Sequence, residues 1–140
     1  MQQNVAAIHD PVRMRQAGAD LLSLALIDAR NHTLRWLAAF EPQLPTLTPS
    51  ADVDPPLWLT GHVAWFQEYW VSRNVQRQRG EAASGARAPL ASIDPRADGW
   101  FDPSVNDRVQ RWRLPLPDAA GLRQYLAETL DATLDLLAGA

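Results

Sequence analysis

One histidine stands where its surroundings would allow metal chemistry. His62 follows Gly61 within a run of apolar and aromatic residues. Imidazole is the commonest metal ligand among side chains, and the core of a helical bundle is a usual place for such a site. Gly61 costs a helix about 1 kcal/mol relative to alanine, which helices tolerate where another group approaches the backbone closely. Composition alone favours a hydrogen-bonded structural histidine over a ligand, so both interpretations stay open at this point.

A second candidate set lies earlier in the chain. Asp28 and His32 are four residues apart and share a helix face, so with His62 they could form a set of two histidines and one carboxylate. The simpler interpretation is an Asp–His pair on the helix surface, of small stabilising value. His9, near the N-terminus, is expected to be inert.

Several further side chains are weaker candidates. Asp94, Asp98 and Asp102 lie in one segment and could bind a cation, although capping and turn roles explain them equally well. Tyr69 and Tyr125 have no neighbour in the sequence that would indicate a catalytic role.

Composition limits the classes of function. Cysteine is absent, which excludes disulfides, thiolate metal ligands and a cysteine nucleophile from these 140 residues. Any metal would therefore need His, Asp or Glu, a donor set that favours iron, zinc or manganese. All 13 basic residues are arginine and the formal net charge is −3, so charge gives no reason to expect nucleic acid as a partner. Two arginine clusters are expected to be solvated helix faces: Arg73, Arg77 and Arg79, and Arg108, Arg111 and Arg113.

Length and hydropathy predict one soluble domain. The chain has 140 residues, of which 46% are hydrophobic and 21% charged, as in ordinary soluble proteins. No apolar run approaches the roughly 20 residues that span a bilayer, and the N-terminus lacks the pattern of a secretory signal. We therefore expect a cytoplasmic protein with no membrane association.

The residue pattern predicts three long helices and no strand. The first runs from Pro11 to Phe40 with Asp10 as its N-cap, the second from Asp54-Pro55-Pro56 to about Arg79, and the third from Asp118 to Leu137. Residues 80–90 are rich in Ala, Gly and Ser and predict a flexible loop. The aromatic crossover that follows could contain a short helix opened by Asp102-Pro103.

Three long helices make most of a four-helix bundle, and one helix is missing. The last helix carries leucines on one stripe, which predicts an open apolar groove and homodimerisation through it. The stripe comprises Leu122, Leu126, Leu130, Leu134 and Leu137.

Several motifs together resemble one enzyme family. The string DPPLWLTGHVAWFQEYWV, residues 54–71, resembles the "SP-x-x-W-x-x-x-H-x-x-x-F-x-E" stretch of the sulfoxide synthases of ergothioneine biosynthesis, and is more similar still to their selenoneine-synthase relatives. Arg30 to Leu34 is similar to the family's "R-x-x-T-L". Asp94 to Leu116 resembles the segment that leads to "R-x-x-L-P-L-P", and Tyr125 to Leu137 the helix after it. The resemblance covers roughly residues 11–138.

The resemblance implies an all-α, DinB-like four-helix bundle in which three histidines hold a non-haem iron. One of them maps onto His62. The other two belong to an "H-E-x-x-x-H" helix that this sequence lacks, as it lacks the family's C-terminal formylglycine-generating-enzyme-like domain. The full enzyme would use Fe(II) and O₂ to join the sulfur of a thiol, or the selenium of a selenosugar, to the imidazole of trimethylhistidine. We therefore expect residues 1–140 to be a fragment of such an enzyme and inactive alone.

Two rival functions remain open. A stand-alone DinB-like thiol transferase would use a divalent metal such as Zn(II), but it would need the same missing histidines. A metal-free helical interaction module would bind a partner, or a second copy of itself, through the open groove.

Overall fold

The computed structural model describes residues 6–82 and 89–139, and all regular structure in these two ranges is helical. The all-α expectation is therefore confirmed. Residues 6–8 are helical, and the α-helices that follow are α1 (Pro11–Arg15), α2 (Ala19–Phe40), α3 (Pro56–Gln67), α4 (Ala97–Phe101), α5 (Arg108–Arg111) and α6 (Ala119–Ala138). Within the described ranges, no helix has both the length and the apolar content needed to cross a membrane.

The first predicted helix is interrupted. Asp10 caps α1 as expected, because its carboxylate accepts the N–H groups of Val12 and Arg13. The chain then leaves the helical conformation, and Gly18 is fully extended, with ψ of −178°, before α2 begins. The prediction of one continuous helix was wrong here, since glycine has the lowest helix propensity after proline.

The second predicted helix is shorter than its pattern indicated. It begins at Pro56 as expected, but α3 passes at Glu68 into a π-helical turn, Glu68–Ser72, instead of continuing to Arg79. A separate 3₁₀ helix covers Arg77–Ala82. Another 3₁₀ helix, Glu41–Thr46, follows α2 and contains Pro42 and Pro45. Most of the loop predicted for residues 80–90 lies outside the described residues.

The short helix expected at Asp102 is not there. Asp102 instead closes a turn, with its carboxylate accepting the N–H and hydroxyl of Ser104, and helices α4 and α5 lie on either side. Asp107 is the better helix cap because it forms a reciprocal capping box with Gln110.

Helix α6 packs against both α2 and α3, and the core lies between them and α4. Asp118 caps α6 as expected by accepting the N–H of Gly121. Leu122 and Leu126 are fully buried, whereas the other three leucines of the stripe are partly exposed. The other buried residues of α6 are Ala119, Tyr125, Thr129 and Thr133, so this face is more polar than the leucine stripe indicated. Homodimerisation through the stripe stays a prediction.

A candidate metal centre at His62

Helix α3 presents three rings to α4 from one face. Trp58, His62 and Trp65 are spaced i, i+4, i+7, which places them on a single helix stripe. Trp58 Nε1 donates to the carbonyl of Trp100 at 2.7 Å, and His62 Nδ1 lies 2.9 Å from the carbonyl of Phe101. These two carbonyls belong to the last turn of α4, where a helix leaves its C=O groups without partners. The spacing of Trp58 and His62 therefore satisfies two consecutive carbonyls.

The contact with Phe101 fixes the tautomer of His62. A carbonyl oxygen only accepts hydrogen bonds, so Nδ1 must carry the proton and donate it. In the neutral ring the lone pair is then on Nε2, which has no hydrogen-bond partner among the described residues. Histidine ligands of metals commonly have this arrangement, with one nitrogen anchored to a carbonyl and the other facing the metal. His62 is thus oriented as an Nε2 ligand.

Stacking holds the His62 ring in place. The ring lies 4.8 Å from that of Trp58 with an interplanar angle of 7°, and 5.7 Å from that of Trp65. The Arg111 guanidinium covers the Trp58 ring at 3.9 Å and pairs with Asp54 just before α3. These contacts restrict rotation of the imidazole, so its orientation is set by packing as well as by the hydrogen bond.

Gly61 is required by the approach of α4. A Cβ atom built at this position would lie 2.2 Å from two ring atoms of Phe101, which is far inside van der Waals contact. The expectation that some group approaches the backbone at Gly61 is confirmed, and the group is the ring of the residue whose carbonyl binds His62. Gly61 and His62 therefore both contact Phe101: Gly61 leaves room for its ring, and His62 donates to its carbonyl.

A cavity of about 410 Å³ opens beside His62. Four of the seven other residues that line it are aromatic. The other lining residues are Trp65, Phe66, Tyr69, Trp70, Asp102, Pro103 and Ser104. In the two described ranges, however, His, Asp and Glu side chains nowhere gather into a group of three or more that could hold a metal ion. Within the described residues, the neighbours of His62 therefore do not complete a metal site.

Comparison with known proteins identifies the family of the chain. Residues 25–140 match the family model of the DinB superfamily. The chain belongs to the DinB superfamily. It is also 29% identical over 116 residues to the hercynine oxygenase of Mycolicibacterium thermoresistibile, a match that covers 83% of this chain and 24% of that protein. The chain therefore spans about a quarter of the length of this relative.

Asp28 and His32 do not join His62 in this DinB domain. Asp28 Oδ2 lies 3.7 Å from His32 Nε2 and 4.0 Å from His9 Nε2, on the surface of α2. Arg35 donates to His32 Nδ1 at 3.0 Å. The proposed set of two histidines and one carboxylate does not form, and the interpretation as a surface pair is the correct one. His9, expected to be inert, takes part in this surface group.

The three aspartates of the crossover have separate partners. Asp94 pairs with Arg96, at 3.0 and 3.1 Å, and Asp102 accepts from Ser104. Asp98 accepts two hydrogen bonds from Arg73, at 2.7 and 2.8 Å, and the Arg73 guanidinium holds the pKa of Asp98 below its ordinary value. The hydrogen bond to Arg96 likewise lowers the pKa of Asp94. Capping, turn and ion-pair roles account for all three, so no shared cation site forms among them.

The sequence analysis did not predict that Tyr125 and Glu68 of this DinB domain form a buried pair. Tyr125 has a partner, because its hydroxyl donates to Glu68 at 2.8 Å, and burial raises the pKa of this phenol well above its ordinary range. Glu68 is 1% exposed. The signal that could have found it is the motif itself, which ends in F-x-E at this glutamate. Neither Glu68 nor Gln67 binds His62, and the acceptor is the Phe101 carbonyl, which no side-chain pattern reveals.

Arg30, the first residue of the R-x-x-T-L motif, is a buried residue that binds side chains of α3 and α6. It is 5% exposed and donates to the Gln67 side chain and, at 3.4 Å, to Thr129 Oγ1. Gln67 donates in turn to Thr133 at 2.8 Å. Burial lowers the pKa of Arg30. This polar layer ties α2, α3 and α6 together on the side of α3 away from α4.

Proposed function

We propose that this DinB domain supplies one histidine ligand, His62, to the non-haem iron of an oxidative C–S or C–Se bond-forming enzyme. The observation that carries the proposal is the orientation of His62, whose Nδ1–H is bound by the Phe101 carbonyl while Nε2 faces no protein partner in the described residues. The similarity to hercynine oxygenase supports the same chemistry. Trimethylhistidine and a thiol or selenosugar would be the substrates.

The residues of the chain fit part of such a site. A neutral imidazole is a ligand that iron and zinc both accept. The remaining two histidines would come from a part of the longer enzyme outside residues 1–140, consistent with the match to only 24% of the relative. Non-haem iron supplies redox chemistry with O₂ at the positions that its protein ligands leave open. The contribution of this domain is to present Nε2 and to hold the ring against rotation.

The exposed apolar face of α3 supports the proposal that another part of the longer enzyme completes the metal site. Four large apolar residues recur along the helix beside His62 and are between 37% and 53% exposed. They are Leu59, Val63, Phe66 and Trp70. A stripe of this kind normally packs against another element. We propose that the part of the longer enzyme that carries the other iron ligands covers it.

A cobalt titration followed by NMR tests the proposal. A single imidazole holds a divalent metal weakly, so paramagnetic Co(II) is added stepwise while the ring signals of the three histidines are observed. We expect His62 to broaden first, and the affinity to fall in His62→Ala but not in His32→Ala, the matched control on the surface. If His9 and His32 broadened at the same Co(II) concentration as His62, His62 would not be a preferred ligand and the proposal would fail. Fe(II) and Zn(II) contents of the same three proteins give a second measure.

A further inference from the structure

The crossover segment is attached to the rest of the domain by two buried side chains. Glu68 is 1% exposed and Arg73 is 4% exposed. Glu68 begins the π-helical turn that follows α3, and Arg73 is the residue just after that turn. Neither contacts His62, and neither belongs to the candidate metal centre. Both instead bind the stretch between Leu90 and Phe101, which ends at the carbonyl that accepts from His62.

Glu68 holds the start of this stretch. Its carboxylate accepts the hydroxyl of Ser92 at 2.5 Å, the N–H of Ile93 at 2.8 Å and the hydroxyl of Tyr125 at 2.8 Å. Three donors around one buried carboxylate form strong charge-assisted bonds. Because Tyr125 lies on α6, the contact joins three parts of the fold: the π-helical turn, the crossover and the last helix.

Arg73 binds both the first residue of the stretch and Asp98 near its end. Its Nε donates to the Leu90 carbonyl at 2.6 Å, and its two terminal nitrogens bind the Asp98 carboxylate at 2.7 and 2.8 Å. Trp65 Nε1 donates to the same carboxylate at 2.8 Å. A bidentate arginine–carboxylate pair fixes direction as well as distance. Asp98 lies in α4 three residues before Phe101, so it fixes the helix turn that carries the Phe101 carbonyl.

The π-helical turn explains how Glu68 and Arg73 can both bind the stretch between Leu90 and Phe101. The N–H of Arg73 bonds to the carbonyl of Glu68 at 2.9 Å, an i to i−5 bond that places these residues one turn apart. In an α-helix, residues five apart do not share a face, since the neighbours are i+3 and i+4. Single π turns inside α-helices occur frequently at functional sites. The turn is therefore what brings Glu68 and Arg73 to the same side.

We infer that Glu68 and Arg73 are positioning residues for His62, which act by placing α4 so that the Phe101 carbonyl meets Nδ1. The proposed role of His62 as a metal ligand gives this inference its functional meaning. The path runs from the buried pair through Asp98 and α4 to one backbone oxygen. Loss of either anchor would let α4 shift, weaken the hydrogen bond to Nδ1 and allow the imidazole to adopt its other tautomer.

The test reads the tautomer of His62 directly in the metal-free chain. Long-range ¹H–¹⁵N correlation at a pH of about 8.5, well above the ordinary imidazole pKa, distinguishes Nδ1–H from Nε2–H. The variants are Glu68→Gln and Asp98→Asn, which keep side-chain size. Glu41→Gln is the control, because it removes a solvent-exposed ion pair with Arg123 that involves no residue of α4 or of the crossover. Helical circular dichroism is recorded for each protein.

We expect His62 to be only Nδ1–H in the wild type and in Glu41→Gln, and a mixture of tautomers in the two variants. In Co(II) titrations, the variants should bind about 10 to 100 times more weakly, as is usual when a partner of a ligating histidine is lost. A single Nδ1–H tautomer in both folded variants would overturn the inference. So would loss of the helical signal in both, because the residues would then be needed for folding as a whole. If no protein bound metal, the proposed function would fail, while the tautomer result would still decide the inference.

Discussion

His62 on α3 and His32 on α2 both lie on long helices, but they differ in which ring nitrogen carries the proton. His32 has a carboxylate within reach, Asp28 at 3.7 Å, and His9 nearby, so it has more metal-capable neighbours than His62. Its Nδ1, however, accepts from Arg35 at 3.0 Å, which leaves the proton of the neutral ring on Nε2, facing Asp28. At His62 the proton is on Nδ1 and Nε2 is open.

The difference lies in what the second nitrogen binds. A metal at Nε2 of His32 would require the proton to move to Nδ1, against the Arg35 guanidinium, which is itself a cation. The metal would also sit on an exposed surface where water competes for it. His62 has its proton fixed by a helix-terminal carbonyl and its ring fixed between aromatic side chains. Orientation and rigidity, rather than the number of nearby ligands, separate the two.

The largest expected effect comes from filling the space at Gly61. In Gly61→Ala the new methyl group would meet the Phe101 ring, so we expect a loss of roughly 1 to 3 kcal/mol in the free energy of unfolding, measured by urea denaturation. The same change in a Phe101→Ala background should cost nothing, because alanine is the better helix former once the ring is gone. An equal loss in both backgrounds would contradict the contact. The effect of a substitution at His32 on the free energy of unfolding is not expected to depend on whether residue 101 is Phe or Ala.

The Arg73–Asp98 pair should make stability depend on acid. The hydrogen bonds from Arg73 hold the pKa of Asp98 below its ordinary 3.8, so the pair stabilises the fold above that pH and its contribution is lost as the pH falls through the folded-state pKa. Asp98 is half exposed, and solvent screening limits the effect of Asp98→Asn at neutral pH to about 1 kcal/mol. Denaturant midpoints at pH values from about 7 to about 2 should show the variant and the wild type converging as the pH falls. A gap that stays constant down to pH of about 2 would argue against the ion pair.

The smallest effects are expected at the surface group. Asp28→Asn and His32→Ala should each change the free energy of unfolding by no more than about 0.5 kcal/mol, since exposed pairs on a helix contribute little. Thermal unfolding at low and at high salt measures this. A loss above about 1 kcal/mol in either variant would mean that Asp28, His9 and His32 stabilise the fold in a way that the surface geometry does not indicate.

Sequence patterns predicted the helices well where local chemistry sets them. Asp10 and Asp118 cap their helices as expected, and Pro56 opens α3. Predictions failed where the chain changes helix type or direction. Both the break before Gly18 and the π turn after Gln67 are changes in backbone hydrogen bonding, which the pattern of side chains does not record.

The candidate site was predictable in part. His62 and Gly61 stand out by residue type and by the motif around them. The partner of Nδ1 could not be found in this way, because it is a backbone carbonyl 39 residues away and every residue has one. Tyr125 and Glu68 meet across 57 residues, and only the packing of α6 on α3 brings them together.

The sequence by itself determined the helical class and the position of His62, next to a glycine, in an aromatic helix. These follow from propensities, caps and spacing, which act over a few residues. Tertiary structure alone decided which nitrogen of His62 is open, which aspartates are tied to arginines and which carboxylate is buried. The physical reason is that hydrogen-bond partners and burial depend on contacts between segments distant in the chain, and such contacts exist only once the helices have packed.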